Sequence, residues 1–159
     1  MARTLQLTTL GELGTLTRDE EVVEVKGGTN GISYVVIATK PLDYRKERED
    51  GCTFAKTIPS QPQNYRVIAV SGSDITYEIA IHNEVFNIHD VQPLLAGELL
   101  LVCCRSYCRG EGDCDRNGRI YTSAGTFVRD LLLGDGIQTV QATWDGGIWH
   151  SYFGQGIYG

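Results

Sequence analysis

Apolar residues run without a break through residues 99–104, LLLVCC. Side chains alternate along a strand, which puts Leu99, Leu101 and Cys103 on one face and Leu100, Val102 and Cys104 on the other. A strand apolar on both faces has to be covered on both, as when a sheet is packed between two neighbouring sheets. Elsewhere the pattern predicts hairpins. The stretch GRIYTSAGTFVRDLLLGDG, from Gly118, reads as two strands joined at Ser123-Ala124-Gly125. Upstream, strands are expected over Tyr65 to Val70 and Ile75 to Ile81, around a Ser-Gly-Ser-Asp turn. GISYVVIATK from Gly31 resembles GELLLVCCRS from Gly97, so the recurring unit is an apolar strand, a long variable loop and a hairpin.

The same unit appears as a sequence repeat. At a constant offset of 49, Ile88 falls on Ile137, Val91 on Val140, Gln92 on Gln141, Gly97 on Gly146 and Leu99 on Ile148. A period in this range, with strand-rich content between the copies, is that of propeller blades. The expected fold class is therefore all-β, with propeller-like repeats of antiparallel sheets. An N-terminal extension over residues 1–19 precedes blades at about 20–82 and 83–133 and an incomplete blade at 134–159. Two and a half blades do not close a ring, so the expectation is further C-terminal blades, a homo-oligomer that completes the ring, or, third, an open stack of sheets.

The segment LGDGIQTVQATWDGGIWHSYFGQGIYG, from Leu133, resembles the repeats of bacterial β-propeller proteins, the sensor-type propellers of two-component regulators and related uncharacterised proteins. The likeness rests on Ile137 with Val140, Asp145-Gly146, Ile148-Trp149 and Gly156. GELLLV and NGRIYTSAGTF are similar blade fragments, and the resemblance covers the chain from about residue 88 onward. His150 stands where those repeats carry an aliphatic residue or glycine. What the resemblance implies is a fold of WD40-like blades and no reaction, because such motifs build turns and packing.

Composition agrees with strands. Nineteen glycines accompany only four prolines in 159 residues, and 42% of residues are hydrophobic, enough for one domain with a core. A formal charge of −6 argues against nucleic acid and anionic membrane as partners. The run Asp43 to Asp50, DYRKERED, nearly cancels its own charge and reads as a solvated loop. No secretory signal layout, membrane-spanning run or glycosylation acceptor is present, and the cysteine count is odd, so a reducing cytoplasm is the default expectation.

Candidate chemistry concentrates in CCRSYCRGEGDCDRNG, residues 103–118, which holds four of the five cysteines. Cys104, Cys108 and Cys114, with Cys103 adjacent, lack the paired spacing of a zinc site, and strand alternation would aim Cys103 and Cys104 apart. Buried or loop thiols are the leading expectation, with a disulfide and a metal site as alternatives. Arg105 and Arg109 would favour a thiolate nearby, which keeps a thiol-based sensor open. Asp113, Asp115 and Asn117, before Gly118, match the first half of a calcium loop, but Tyr121 and Ala124 stand where its second half needs ligands. Asn117-Gly118 is read as a turn, and no metal or cofactor is assigned. His82, His89 and His150 lie near strand ends and could meet only on a ring axis. Trp144, Trp149, Tyr152, Phe153 and Tyr158 are expected to pack between blades, with a sugar platform as the sharper alternative. The functional expectation is a scaffold that binds a protein or small molecule through the loops 40–64 and 105–117. The alternatives are a propeller hydrolase or oxidoreductase with an axial metal or cofactor, and the thiol sensor; no catalytic residue is identified.

Overall fold

A computed structural model describes residues 18–28, 31–46, 53–55 and 57–153. Among them the chain is all-β. Its strands are β1 Glu21–Gly27, β2 Ile32–Ala38, β3 Tyr44–Lys46, β4 Thr53–Ala55, β5 Gln63–Ser71, β6 Asp74–Glu84, β7 Asp90–Pro93, β8 Leu99–Val102, β9 Cys108–Gly110, β10 Asp113–Cys114, β11 Gly118–Tyr121, β12 Phe127–Leu131, β13 Ile137–Ala142 and β14 Ile148–Tyr152. A single 3-10 turn, Leu95–Gly97, joins β7 to β8. The 1–19 extension is described only from residue 18, residues 47–50 of the Asp43–Asp50 run lie outside the described residues, and so do Gly156 and Tyr158.

Two sheets have the same construction. The first runs β1-β2-β5-β6 and the second β7-β8-β11-β12, each antiparallel and in chain order. In each, a small hairpin is inserted between the second and third strands: β3–β4 in the first, β9–β10 in the second. β13 and β14 pair as a third, two-stranded sheet.

The turns show why the chain reverses where it does. Leu94 donates its amide to the Glu98 carbonyl at 2.8 Å, and 49 residues on Thr143 donates to Gly147 at 2.9 Å. The same closure joins β1 to β2 (Gly28 to Ile32, 2.7 Å) and β11 to β12 (Thr122 to Thr126, 2.9 Å). In all four the residue before the acceptor is a glycine in the left-handed region: Gly31, Gly97, Gly125 and Gly146, with φ between 76° and 89°. A three-residue hairpin loop ends in that conformation, and glycine adopts it without a Cβ penalty.

The three sheets stack face to face. Tyr34, Val36, Tyr65, Val67, Ile79 and Ile81 of the first sheet form one buried cluster with Val91, Leu99, Leu101 and Tyr121 of the second and with Phe86 and Ile88 of the linker. The opposite face of the second sheet, with Leu100, Val102 and Ile120, packs on Ile137 and Val140 of the third. β8 is therefore covered on both faces, with all four residues at most 1% exposed, as its unbroken apolar run requires. The outer strands differ: β6 and β12 present mostly exposed side chains.

Candidate functional site

The first strands of the three sheets lie side by side, β1 against β7 and β7 against β13, and a chain of polar side chains ties them together. Lys26 Nζ on β1 donates to Asp90 Oδ2 on β7 and to Thr139 Oγ1 on β13, both at 2.9 Å. Asp90 also accepts the Val140 amide at 3.0 Å and its neighbour Val91's at 2.7 Å. Asp90 is 2% exposed, so its charge is tolerable only because the ammonium and two amides surround it. One step along β7, fully buried Gln92 accepts the Ala142 amide at 3.0 Å through Oε1, and Gln141 donates to the same oxygen at 3.3 Å. Two pairs related by the 49-residue offset, Asp90 with Thr139 and Gln92 with Gln141, thus face each other across this seam.

The inserted hairpins emerge beside it. Asn87 of the first linker donates its amide to Thr57 O, just after β4, at 3.0 Å, and the Cys103 thiol points at the same carbonyl at 3.7 Å. The bases of the two insertions are therefore neighbours. In the second, Ser106 and Arg105 both hold Asp135 of the linker to β13, at 2.8 Å each, and Ile137 donates to Cys104 O at 2.8 Å. Burial works against the Asp135 charge, but Arg105 and the Ser106 amide hold its carboxyl below the ordinary aspartate range.

In β9–β10, Cys108 and Cys114 are joined by a disulfide across a Cα separation of 4.0 Å. The expectation of free loop thiols is corrected for these two: the tight hairpin carries their sulfurs together. Cys103 and Cys104 are free, and they correct a second expectation. β8 ends at Val102, so strand alternation no longer governs the pair, and the two thiols lie close enough to interact. The neighbouring Cys104 thiol, together with burial, holds Cys103 well above the usual thiol range; the Cys103 thiol and the Arg105 charge hold Cys104 below it.

Of the calcium-like positions, Asp113 is exposed at the hairpin tip, whereas Asp115 accepts from Arg109 at 2.8 Å and from the Tyr107 amide at 3.3 Å. Asn117 is a bracket. Its amide donates to Cys103 O and Gly134 O at 2.9 Å each, and its Oδ1 accepts the Leu133 amide at 3.1 Å. Asn117-Gly118 is consequently not a turn; Gly118 starts β11, against Leu131 and Leu133. The three residues do not converge, and no group of three or more His, Cys, Asp or Glu among the described residues is placed to hold a metal ion.

The histidines stay apart. His82 is exposed on β6, His150 is exposed on β14 with its ring edge-on to Tyr152, and His89 is largely buried, its Nδ1 2.9 Å from Val102 O. The aromatic residues also divide. Tyr152 packs toward the second sheet and donates its hydroxyl to Leu133 O at 2.9 Å, while Trp149 and Trp144 are 72% and 83% exposed. The expectation that the tryptophans are packed between sheets is overturned, because nothing described covers the far face of β14.

One group escaped the sequence reading. Glu84, 1% exposed at the end of β6, accepts the hydroxyl proton of Tyr121 and faces the Arg119 guanidinium at 3.3 Å, so the second sheet is bolted to the first. Arg119 also lies over the Phe127 ring, 4.2 Å from its centroid. Burial and the bond to Glu84 push the Tyr121 phenol upward.

A cleft of about 320 Å³ opens between the second and third sheets beyond β14, lined by Leu94, Leu95, Ile120, Leu131 and Ile148, with Glu98 and Arg129 paired at 2.9 Å beside them. No described helix is long and apolar enough to cross a membrane. Comparison of the chain with protein-family models, with curated proteins and with solved structures finds no match in any of the three.

Proposed function

We propose that this chain is a β-propeller-like segment working as a binding scaffold, and that it presents the two inserted hairpins to a protein or small-molecule partner. The observation that carries this is the seam of first strands, in which Lys26, Asp90 and Thr139 join three successive units. Sheets that converge along their first strands and expose their last ones are arranged as blades about an axis. Loops inserted at one position of successive blades then gather at one end, where a rigid frame positions them for recognition. Apart from the buried Nε2 of Gln92, which has no partner, the polar groups along the seam are hydrogen-bonded to one another or to backbone amides, which favours a structural role for them over an axial catalytic one.

A thiol-based sensor is a second reading, favoured by the Cys108–Cys114 bond in an exposed hairpin beside the free Cys103 and Cys104. One experiment addresses both. The intact chain and a variant with residues 108–114 replaced by Gly-Gly, which keeps Ser106, Asp115 and Asn117 at the base, are used to capture partners from a lysate of the source cells. The scaffold reading expects a protein held by the intact chain, oxidised or reduced, and lost from the variant while its circular dichroism is unchanged. Capture that depends on the oxidation state favours the sensor. Equal capture by both chains contradicts the proposal.

A further inference from the structure

Cys103 and Cys104 sit where β8 has ended and the second insertion has not begun, and both thiols are free. Their backbone is pinned from two sides. The Cys103 amide donates to Asn117 O at 2.9 Å, the Asn117 side chain donates to Cys103 O at 2.9 Å, and Ile137 of β13 donates to Cys104 O at 2.8 Å. Adjacent thiols held in this way stay beside one another, so the second is at hand for any bond the first one forms. Their surroundings differ. Cys103 is buried, 1% exposed, with its thiol aimed at Thr57 O at 3.7 Å, whereas Cys104 is partly exposed next to Arg105. The Cys103 thiol and the Arg105 charge favour the Cys104 thiolate, which is the attacking form, while the Cys104 thiol and burial keep Cys103 protonated. One cysteine is placed to attack and the other to resolve.

We propose that Cys103 and Cys104 form a dithiol site that is oxidised by small aliphatic disulfides of the glutathione disulfide class. The Cys104 sulfur bonds to one sulfur of the disulfide, and the other sulfur leaves with the electron pair of the broken bond and takes up a proton. Cys103 then bonds to the Cys104 sulfur and hands its proton to the second small thiol as that leaves. Two protein thiols become one disulfide, and the small disulfide becomes two thiols. A small reagent suits the site because Cys104 is only partly exposed at the foot of the insertion. The product is readily reversed. The peptide joining the two cysteines is trans, which sets their Cα atoms about 3.8 Å apart, short of the usual span of about 4.4–6.8 Å, and a strained disulfide is easily reduced. Oxidation also takes the Cys103 hydrogen away from Thr57 O, which keeps the Asn87 amide. The foot of the first insertion thereby registers the redox state of the pair.

The inference builds on the thiol-sensor reading and deepens it by naming the reacting pair and its reagent. Its test reads bond formation rather than capture: a failed exchange leaves a sensor acting through Cys108 and Cys114, and capture indifferent to oxidation leaves the exchange standing. The 159-residue chain carrying Cys52→Ser, which removes the fifth cysteine, is treated with excess glutathione disulfide and mapped by mass spectrometry without reduction. The expected product is lighter by two hydrogens, carries a Cys103–Cys104 bond and no glutathione, and recovers both thiols when reduced glutathione is added. Cys103→Ser, whose hydroxyl keeps a donor for Thr57 O, should retain one glutathione on Cys104, and Cys104→Ser should slow the loss of the Cys103 thiol at least about tenfold. Thiols that do not react, glutathione remaining on Cys104 while Cys103 is present, a bond from Cys104 to Cys108 or Cys114, or an unchanged rate in Cys104→Ser would overturn the inference.

Discussion

His89 donates its Nδ1 hydrogen to the Val102 carbonyl, the only role open to it beside an acceptor, and its buried Nε2 meets no hydrogen-bond partner. Burial holds this imidazole below its ordinary pKa of 6.5, against the pull of the Asp90 and Glu24 carboxylates. The unfolded chain therefore binds a proton at a higher pH than the folded one. Stability from this residue is complete above about pH 6.5 and is lost as the pH falls from there toward the folded-state value. Urea titrations at about pH 7.5 and about pH 5 should show a lower midpoint at the acid value, and His89→Gln, which can still donate to Val102, should remove part of that drop. An unchanged drop in the variant would show that His89 is not buried in neutral form. Neither this role nor that of Asn117 could be read from the sequence. Both residues sit in polar stretches that suggest ligands, and only the fold reveals that backbone carbonyls 13 to 17 residues away use their donors.

At the scale of elements, one turn is used four times, and its neighbours decide what each copy tolerates. Gly31 and Gly125 have nearly the same φ, 76° and 77°. A Cβ at Gly31 would meet nothing within 4 Å, whereas at Gly125 it would come 2.2 Å from Ala80 O, a backbone atom that cannot move alone. Gly31→Ala should thus cost about 1 kcal/mol, the ordinary price of the left-handed region, and Gly125→Ala at least about 3 kcal/mol, because it also forces the second sheet away from β6. Denaturant unfolding of the two variants checks this, and equal costs would mean that the close approach is absent. These turns were largely legible beforehand: Ser123-Ala124-Gly125, Asp145-Gly146 and the match of Gly97 with Gly146 mark three of the four. The inserted strands β3, β4, β9 and β10 were not. Two or three residues long, they fall below any hydrophobic period, and the CCRSYCRGEGDCDRNG spacing suits a disulfide, a metal or neither until a hairpin brings Cys108 to Cys114.

For the whole molecule, the 49-residue repeat and the doubly apolar β8 together anticipated stacked antiparallel sheets, because a repeat fixes which strands are equivalent and β8 fixes that one sheet lies between two others. What they did not reveal is how the sheets are joined. The Glu84, Arg119 and Tyr121 cluster spans 35 to 37 residues, and a lone glutamate at a strand end looks like any surface acid until a sheet closes over it. The aromatic residues after β13 failed for the opposite reason: packing was expected on both faces of β14, and among the described residues only one face is covered. Three successive units meet along their first strands, and nuclear Overhauser effects in the 159-residue chain report that contact. Lys26 and Thr139, 113 residues apart in sequence, are predicted to give cross-peaks between the lysine ε-methylene and the threonine methyl, as their 2.9 Å contact requires. Absence of those cross-peaks, with both spin systems assigned and the β13–β14 pairing intact, would mean that the third unit is not seated against the first two.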